Sequence, residues 1–597
     1  MPRFAVILII AAILAAPVAA DAQAPYQHTT QPTAQGAGGA AATVDSVATG
    51  AARDVLRRGG NAVDAAVAAA AVLGVTEPFS AGIGGGGFML IRTPDGKITT
   101  IDSREKAPAA MRPDSFFENG APLAFADARY SGLSGGVPGT VAGWQAALRN
   151  YGTWSFKQVL APAIDVARKG FVIDRTFNEQ AQDNAAYFDD IRSSEALYLD
   201  ADGTAHDVGT VQRNPDLART YQRIARKGAK GFYRGAVAAA LTRAVQRPPL
   251  TADADHTWRP GLMTMRDLRA YTAPERTPTR VSYRGLDVFG MGPPSSGGST
   301  VGEALNILEE APNWSALSTT QKYHWFLEAS RFAFADRGKW LADPAYFDVP
   351  LAGLLSQSYA KERAALINPA KAQPGAVPAG EPRDNAGASA VTSTRAAADG
   401  EPLRSTTHLT VADAKGTIVA YTFTIESTGG NGIVVPGWGF LVNNELTDFN
   451  YDDPAHANAP EGGKRPRSSI APTIVLRNGV PVLATGTPGG STIITTVLQI
   501  LVERFDLGKT LPQAIAAPRA AQRNGATTQA EPAFIASPEG QALKAEFGHS
   551  FVTPTLTPPT NGEIGAATGI EFLPGGGFLA AAEPVRRGGG SAQVVSP

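Results

Sequence analysis

From about Pro369 to Arg404 the sequence loses all hydrophobic periodicity and fills with Ala, Pro, Gly, Ser and Asp. Such a composition buries too little apolar surface to order itself. Immediately after it, Ser405-Thr406-Thr407-His408-Leu409-Thr410-Val411 begins an alternating strand. A flexible tract that runs straight into a rigid strand divides the chain in two. The upstream part mixes helical and strand patterns, and the downstream part is dense in β patterns.

The residue at that boundary carries chemistry. A threonine hydroxyl inside a chain is a poor nucleophile. It becomes a good one when the preceding peptide bond is cut, because the freed α-amino group then serves as the local base. That amine has a reference pKa of about 7.7–8, close to neutrality. Cleavage between Ser405 and Thr406 would place nucleophile and base in one residue. Taken alone, Thr406 reads as an ordinary β-former, so its surroundings decide.

The chain has 597 residues, 43% hydrophobic and 18% charged, an ordinary globular composition. Length alone fits about two to four domains or one large core. A formal net charge of −1 argues against nucleic acid as the main partner. Met1-Pro2-Arg3, an apolar run from Phe4 to Leu14 and small residues around Ala20-Asp21-Ala22 and Ala22-Gln23-Ala24 read as a secretory signal peptide over residues 1–24. The run is short for a spanning helix, so the expectation is a periplasmic or secreted protein without a stable membrane anchor. There are no cysteines, which excludes disulfides and thiolate metal sites, and the seven histidines show no ligand spacing. No metal and no cofactor is implied.

Asp45 to Arg58 reads as a helix ending at Gly59-Gly60, and Asn61 caps a second, Ala-rich helix with Asp64 in its first turn. Gly82-Ile83-Gly84-Gly85-Gly86-Gly87 leads into the strand Phe88 to Ile91. Helical patterns recur at 156–169, 217–227, 323–337 and 493–503, and strand patterns at 417–425, 432–442, 474–476 and 480–485. Thr407 to Asp413 and Thr417 to Ile425 form a hairpin through Ala414-Lys415-Gly416, with the glycine in the left-handed position. Closing that loop sets Thr424 directly opposite Thr406, on the same face and within hydrogen-bonding reach. Glu426 lies one step beyond. A slip of one residue would move the whole set to the other face.

Two other motifs compete. Gly132-Leu133-Ser134-Gly135-Gly136 matches the nucleophile elbow of serine α/β-hydrolases, but it lacks the strand before and the helix after that the elbow requires. Gly82, Gly84 and Gly87 match a dinucleotide fingerprint, but in the reversed order of helix, glycines, strand. Close backbone packing explains them better.

Blocks along nearly the whole chain resemble the γ-glutamyltranspeptidases, self-cleaving N-terminal nucleophile hydrolases. The upstream blocks are residues 59–66 (GGNAVDAA), 84–88, 102–108 (DSREKAP), 136–139 and 293–298. The downstream blocks are Thr406-Thr407-His408, residues 443–449 (NNELTDF), Pro466-Arg467-Ser468-Ser469 and Gly486-Thr487-Pro488-Gly489-Gly490-Ser491.

The resemblance implies an α+β fold, an αββα sandwich, with a large subunit (25–405, its last residues from 369 flexible) and a small catalytic subunit (406–597) associating as a heterodimer. It implies Thr406 as nucleophile supported by Thr424, and Gly489 and Gly490 as oxyanion donors. Arg104, Ser468 and Ser469 would take the donor's α-carboxylate, and Asp448 its α-ammonium. Donors would be glutathione and other γ-glutamyl compounds, and acceptors would be water, amino acids or dipeptides. Glu426 and Glu445 stand where many members carry neutral amides, which makes this ammonium pocket more acidic. The short stretch from Asp448 to Ser468 leaves no room for a lid loop. Without the resemblance, Arg104 reads as a surface partner of Asp102 or Glu105, Ser468-Ser469 and Gly489-Gly490 as turn residues, and Glu445 and Asp448 as a solvated loop. The rivals are a glutaryl-cephalosporin acylase of the same fold, a serine hydrolase using Ser134, and a non-catalytic binding protein.

Overall fold

In a computed structural model, which describes residues 24–382, 405–554 and 562–596, two seven-stranded sheets lie between layers of helices. The first sheet runs, edge to edge, through Ser591–Val594, Gly39–Thr43, Thr407–Asp413, Ile418–Thr424, Gly86–Arg92, Ile98–Asp102 and Glu275–Arg276, every neighbour antiparallel. The second runs through Thr33–Gly36, Phe578–Ala582, Thr568–Phe572, Val480–Gly486, Thr473–Arg477, Leu286–Gly290 and Thr279–Tyr283, also antiparallel throughout.

The strand Thr407–Asp413 is buried at all seven positions, because each of its faces meets a different layer. Leu409 and Val411 pack outward on the Ala-rich helix Ala62–Thr76, while Ala412 joins Ala40, Leu90, Ile418, Ile474 and Ile570 in the core between the sheets. Helices Gly297–Glu309, Thr319–Trp340 and Thr492–Phe505 cover the far face of the second sheet. This is the αββα sandwich expected.

Local signals behave as read. Asp45 caps Ser46–Arg57, and Asn61 and Asp64 form a reciprocal capping box on Ala62–Thr76. Gly416 adopts φ 95°, and Asp413 Oδ1 accepts from the N–H groups of Lys415 and Thr417, which fixes the hairpin. The glycine run serves close packing: a Cβ on Gly84 would strike the Leu441 carbonyl, and one on Gly85 the Thr424 carbonyl.

Two expectations need correction. Residues 432–442 are not a strand; they make one isolated bridge, Val434 to Leu441. Pro436 and the positive φ of Gly437 and Gly439 turn the chain there. Order also persists past Pro369. Ala372 N donates to Phe547 O, Val377 N to Asn524 Oδ1 and Gly380 N to Asp336 Oδ1. These backbone groups dock on surfaces that other segments supply, which composition does not register. The remainder of that tract, 383–404, lies outside the described residues, as does the expected leader except Ala24. Among the described residues no helix is long and apolar enough to cross a membrane.

Candidate active site

The hairpin register places Thr407 opposite Phe423 and His408 opposite Thr422, which sets Thr406 across from Thr424. Thr406 Oγ1 donates to Thr424 Oγ1 at 3.3 Å and also lies against the Ser405 carbonyl oxygen. Thr424 Oγ1 donates to that same carbonyl at 2.8 Å and accepts from Glu426 N at 2.8 Å. Glu426 takes a left-handed φ of 81°, so the chain leaves the strand there.

Behind the two threonines, His408 bridges Thr422 Oγ1 at 2.6 Å and Thr410 Oγ1 at 3.0 Å. Complete burial lowers its pKa to about 3, so it is a neutral polar strut. Gly486 packs on its ring so closely that a Cβ would collide with it. Gly486 is the last residue of the strand Val480–Gly486. From there the backbone turns through Gly489 (φ 133°) and Gly490 (φ 57°) into the buried helix Thr492–Phe505. A helix N-terminus with glycines before it concentrates N–H donors, and its dipole favours negative charge.

Thr406 and Thr424 face a narrow cleft open to solvent. Its charged wall is Arg104, Glu426, Glu445 and Asp448; Ser468, Ser469 and Gly490 complete the polar lining. Of the catalytic and donor-binding residues that the resemblance implies, Gly489 alone does not line the cleft, and the cleavage-site residue Ser405 stands outside it as well. Sequence reasoning missed Ile470 and Ile493, which form its apolar side.

Arg104 is not a surface residue: it is 1% exposed, and its guanidinium pairs with both Glu445 and Asp448. Nε and Nη2 also donate to the carbonyls of Pro466 (3.2 Å) and Arg467 (3.1 Å). The Asp102 carboxylate pairs instead with Arg276 and Arg465. Glu445, on the short helical turn Glu445–Asp448, is buried as well. Beside it, Glu105 is buried completely. Burial first, and then the Glu445 charge, push its carboxyl well above the usual range, so Glu105 is held as the neutral acid. Ser469 Oγ accepts from Arg337 Nη2 at 2.7 Å and Ser468 Oγ from Ile470 N at 3.1 Å. Each hydroxyl keeps its proton to donate.

Ser134 has no part in this. It is buried, and its hydroxyl donates to the carbonyls of Arg129 and Ser131. Among the described residues no group of three or more His, Cys, Asp or Glu is arranged to hold a metal ion.

The family model for gamma-glutamyltranspeptidase matches residues 48–593. The glutathione hydrolase proenzyme of Bacillus subtilis (strain 168) is 39% identical over 493 residues, which is 81% of this chain and 80% of the relative. The acylase ACY 1 proenzyme of Pseudomonas sp. (strain SE83) is 34% identical over 575 residues, 94% of this chain and 96% of the relative. Among solved structures, a cephalosporin acylase from Bacillus halodurans superposes with a TM-score of 0.80 at 27% identity, over 95% of this chain and 98% of that one.

Proposed function

The chain belongs to the γ-glutamyltranspeptidase family, and we propose that it is a self-processing γ-glutamyl hydrolase and transpeptidase whose nucleophile is Thr406. The observation that carries this is the relay from Thr406 Oγ1 to Thr424 Oγ1 to the Ser405 carbonyl oxygen. Thr406 Oγ1 attacks the Ser405 carbonyl carbon. Its proton passes to Thr424, whose own proton neutralises the charge growing on the carbonyl oxygen. Collapse breaks the C–N bond, and the nitrogen takes a proton and leaves as the Thr406 α-amine. The resulting ester is hydrolysed to the Ser405 carboxylate. The products are residues 25–405, after loss of a leader, and residues 406–597.

In turnover the freed amine accepts the Thr406 hydroxyl proton, directly or through one water. Oγ1 attacks the γ-carbonyl carbon of the donor, with the N–H groups of Gly489 and Gly490 holding the oxyanion. Each such donor is worth about 10²–10³ in rate. The leaving amine takes the proton, and water or the amine of an amino acid or dipeptide then removes the γ-glutamyl group from Oγ1.

The donor's α-carbon end is a zwitterion, and the Arg104–Glu445–Asp448 cluster is its complement. The donor carboxylate takes Arg104 with the Ser468 and Ser469 hydroxyls. Asp448, with Glu445 and Glu426, turns to the ammonium. Charge stays compensated in both states, which a buried arginine requires. A chain with an exported leader and such a site fits a periplasmic or secreted enzyme.

The test pairs a denaturing gel with two chromogenic donors. Wild type should give two bands and Thr406→Ala one, and wild type should hydrolyse γ-glutamyl-p-nitroanilide far faster than glutaryl-p-nitroanilide. A fully cut Thr406→Ala chain would refute the nucleophile. Equal rates on both donors would favour the acylase reading.

A further inference from the structure

A guanidinium from the far end of the chain reaches the back of Thr406. Arg587 sits in the turn Arg586–Gly588, with a left-handed backbone (φ 54°). Its Nη1 donates to the Thr406 carbonyl oxygen at 2.7 Å. Its Nη2 donates to Glu77 Oε2 at 2.9 Å and to Ser80 Oγ at 2.6 Å. Ser80 Oγ also accepts from Ser405 Oγ at 2.6 Å. One cation therefore ties down both residues of the bond to be cut. The Arg587 and Glu77 side chains are 13% and 11% exposed, so solvent screens the pair little.

We propose that Arg587 is a positioning residue that sets the basicity of the Thr406 α-amino group after cleavage, with Glu77 as its counter-charge. The inference rests on Thr406 being the nucleophile.

A base must be neutral to act, and the charges around this amine otherwise oppose that. Across the cleft stand Glu426, Glu445 and Asp448, against one cation, Arg104. Behind it, Glu77 feels Asp174, Asp45 and His28, and Glu563 accepts the Arg587 backbone N–H. Carboxylates stabilise an ammonium and raise its pKa; a cation does the reverse. Arg587 is bonded to the very residue that carries the amine, while Glu77 is bonded to the other guanidinium nitrogen and is more remote. The nearer charge dominates, so the pair acts on the amine as a net cation. Burial pushes the Glu77 carboxyl up while Arg587 holds it down, leaving it at about 7. The counter-charge therefore weakens as pH falls. A unit charge about 6 Å away at an effective dielectric of about 20–40 shifts a pKa by about 1–2 units.

The experiment follows the acid limb of kcat/KM against pH, with γ-glutamyl-p-nitroanilide, in processed wild type, Arg587→Gln, Arg587→Lys and Glu77→Gln. Arg587→Gln should move the limb up by about one pH unit. Arg587→Lys keeps the charge and should leave it within about 0.3 unit of wild type. Glu77→Gln removes the counter-charge and should lower it by a fraction of a unit. Loosened packing alone would lower kcat without moving the limb in opposite directions. An unmoved limb in Arg587→Gln, or a raised one in Glu77→Gln, overturns the proposal. If Arg587→Gln remains uncut, Glu77→Gln decides: a lowered limb supports the proposal, and an unmoved or raised one overturns it. A processed wild type inactive on γ-glutamyl donors would instead sink the proposed function.

Discussion

Replacing Thr424 by valine isolates one hydroxyl. Valine keeps the β-branch and nearly the same volume, so the strand Ile418–Thr424 retains its propensity and packing. The hydroxyl's shortest contacts go: the 2.8 Å donation to the Ser405 carbonyl, the 3.3 Å contact with Thr406 Oγ1, and the 2.8 Å bond from Glu426 N. The last leaves a buried N–H without its acceptor, at a cost of about 1–3 kcal/mol. A protein of this size tolerates that, with a Tm loss of a few degrees. The rate effect is larger. Thr424 donates to the oxygen on which charge develops during self-cleavage, and loss of one such preorganised donor costs about 10²–10³ in rate. The processing half-time should therefore lengthen by at least about 10², while Thr424→Ser, which keeps the hydroxyl, should stay within about tenfold of wild type. Pulse-labelled precursor followed on denaturing gels measures this directly, with size exclusion and Tm confirming the fold. Cleavage of Thr424→Val at a rate near wild type would refute the relay.

The acidic headgroup pocket should favour γ-glutamyl over glutaryl anilide by at least about 10² in kcat/KM, because a donor without an ammonium leaves released carboxylates uncompensated, at about 3–5 kcal/mol before solvent softens it; the gap should narrow in Glu426→Asn/Glu445→Gln, and equal rates in wild type would contradict it. The two cleavage products should co-elute on size exclusion and separate only in denaturant, since Gly39–Thr43 lies between two downstream strands and Leu286–Gly290 pairs with Thr473–Arg477; separation in mild buffer would contradict a shared core. Burial lowers the pKa of His408 and His549 to about 3 and of His456 to about 4. Below about pH 6.5 the unfolded chain takes up protons these sites refuse, so Tm should fall steadily from pH 6.5 towards 4. A flat Tm over that range would count against their burial as neutral rings. Burial alone would lower His28 too, but the Asp45 carboxylate 2.5 Å away outweighs it and raises the pKa to about 9. Its contribution is complete below about pH 6.5 and is lost as pH rises through 9, so His28→Gln should flatten the alkaline side of the Tm profile.

Much of the fold and site was legible because the signals were local. A three-residue loop ending in Gly416 fixes the hairpin register, and the register alone sets Thr424 across from Thr406. Asn61 and Asp64 announce a helix start within four residues, and the glycines at 84–87 announce a close approach. Where local composition misled, the cause was tertiary. Residues 372–380 look incapable of order, yet they are ordered because Phe547, Asn524 and Asp336 offer partners from elsewhere.

By itself, then, the sequence determined the hairpin that presents Thr406, the alternating strand that carries it, and the polar residue types that line the cleft. Only the tertiary structure decided how the charges pair. Arg104 joins Glu445 and Asp448 across 341 and 344 positions, and Arg587 reaches the Thr406 carbonyl across 181. Hairpin and helix rules act over a few residues because backbone geometry repeats there. An ion pair between distant segments has no periodicity, and with 53 basic and 54 acidic side chains the sequence permits thousands of pairings. Burial selects among them, because a buried charge is tolerated only where a partner of opposite sign is already held in place.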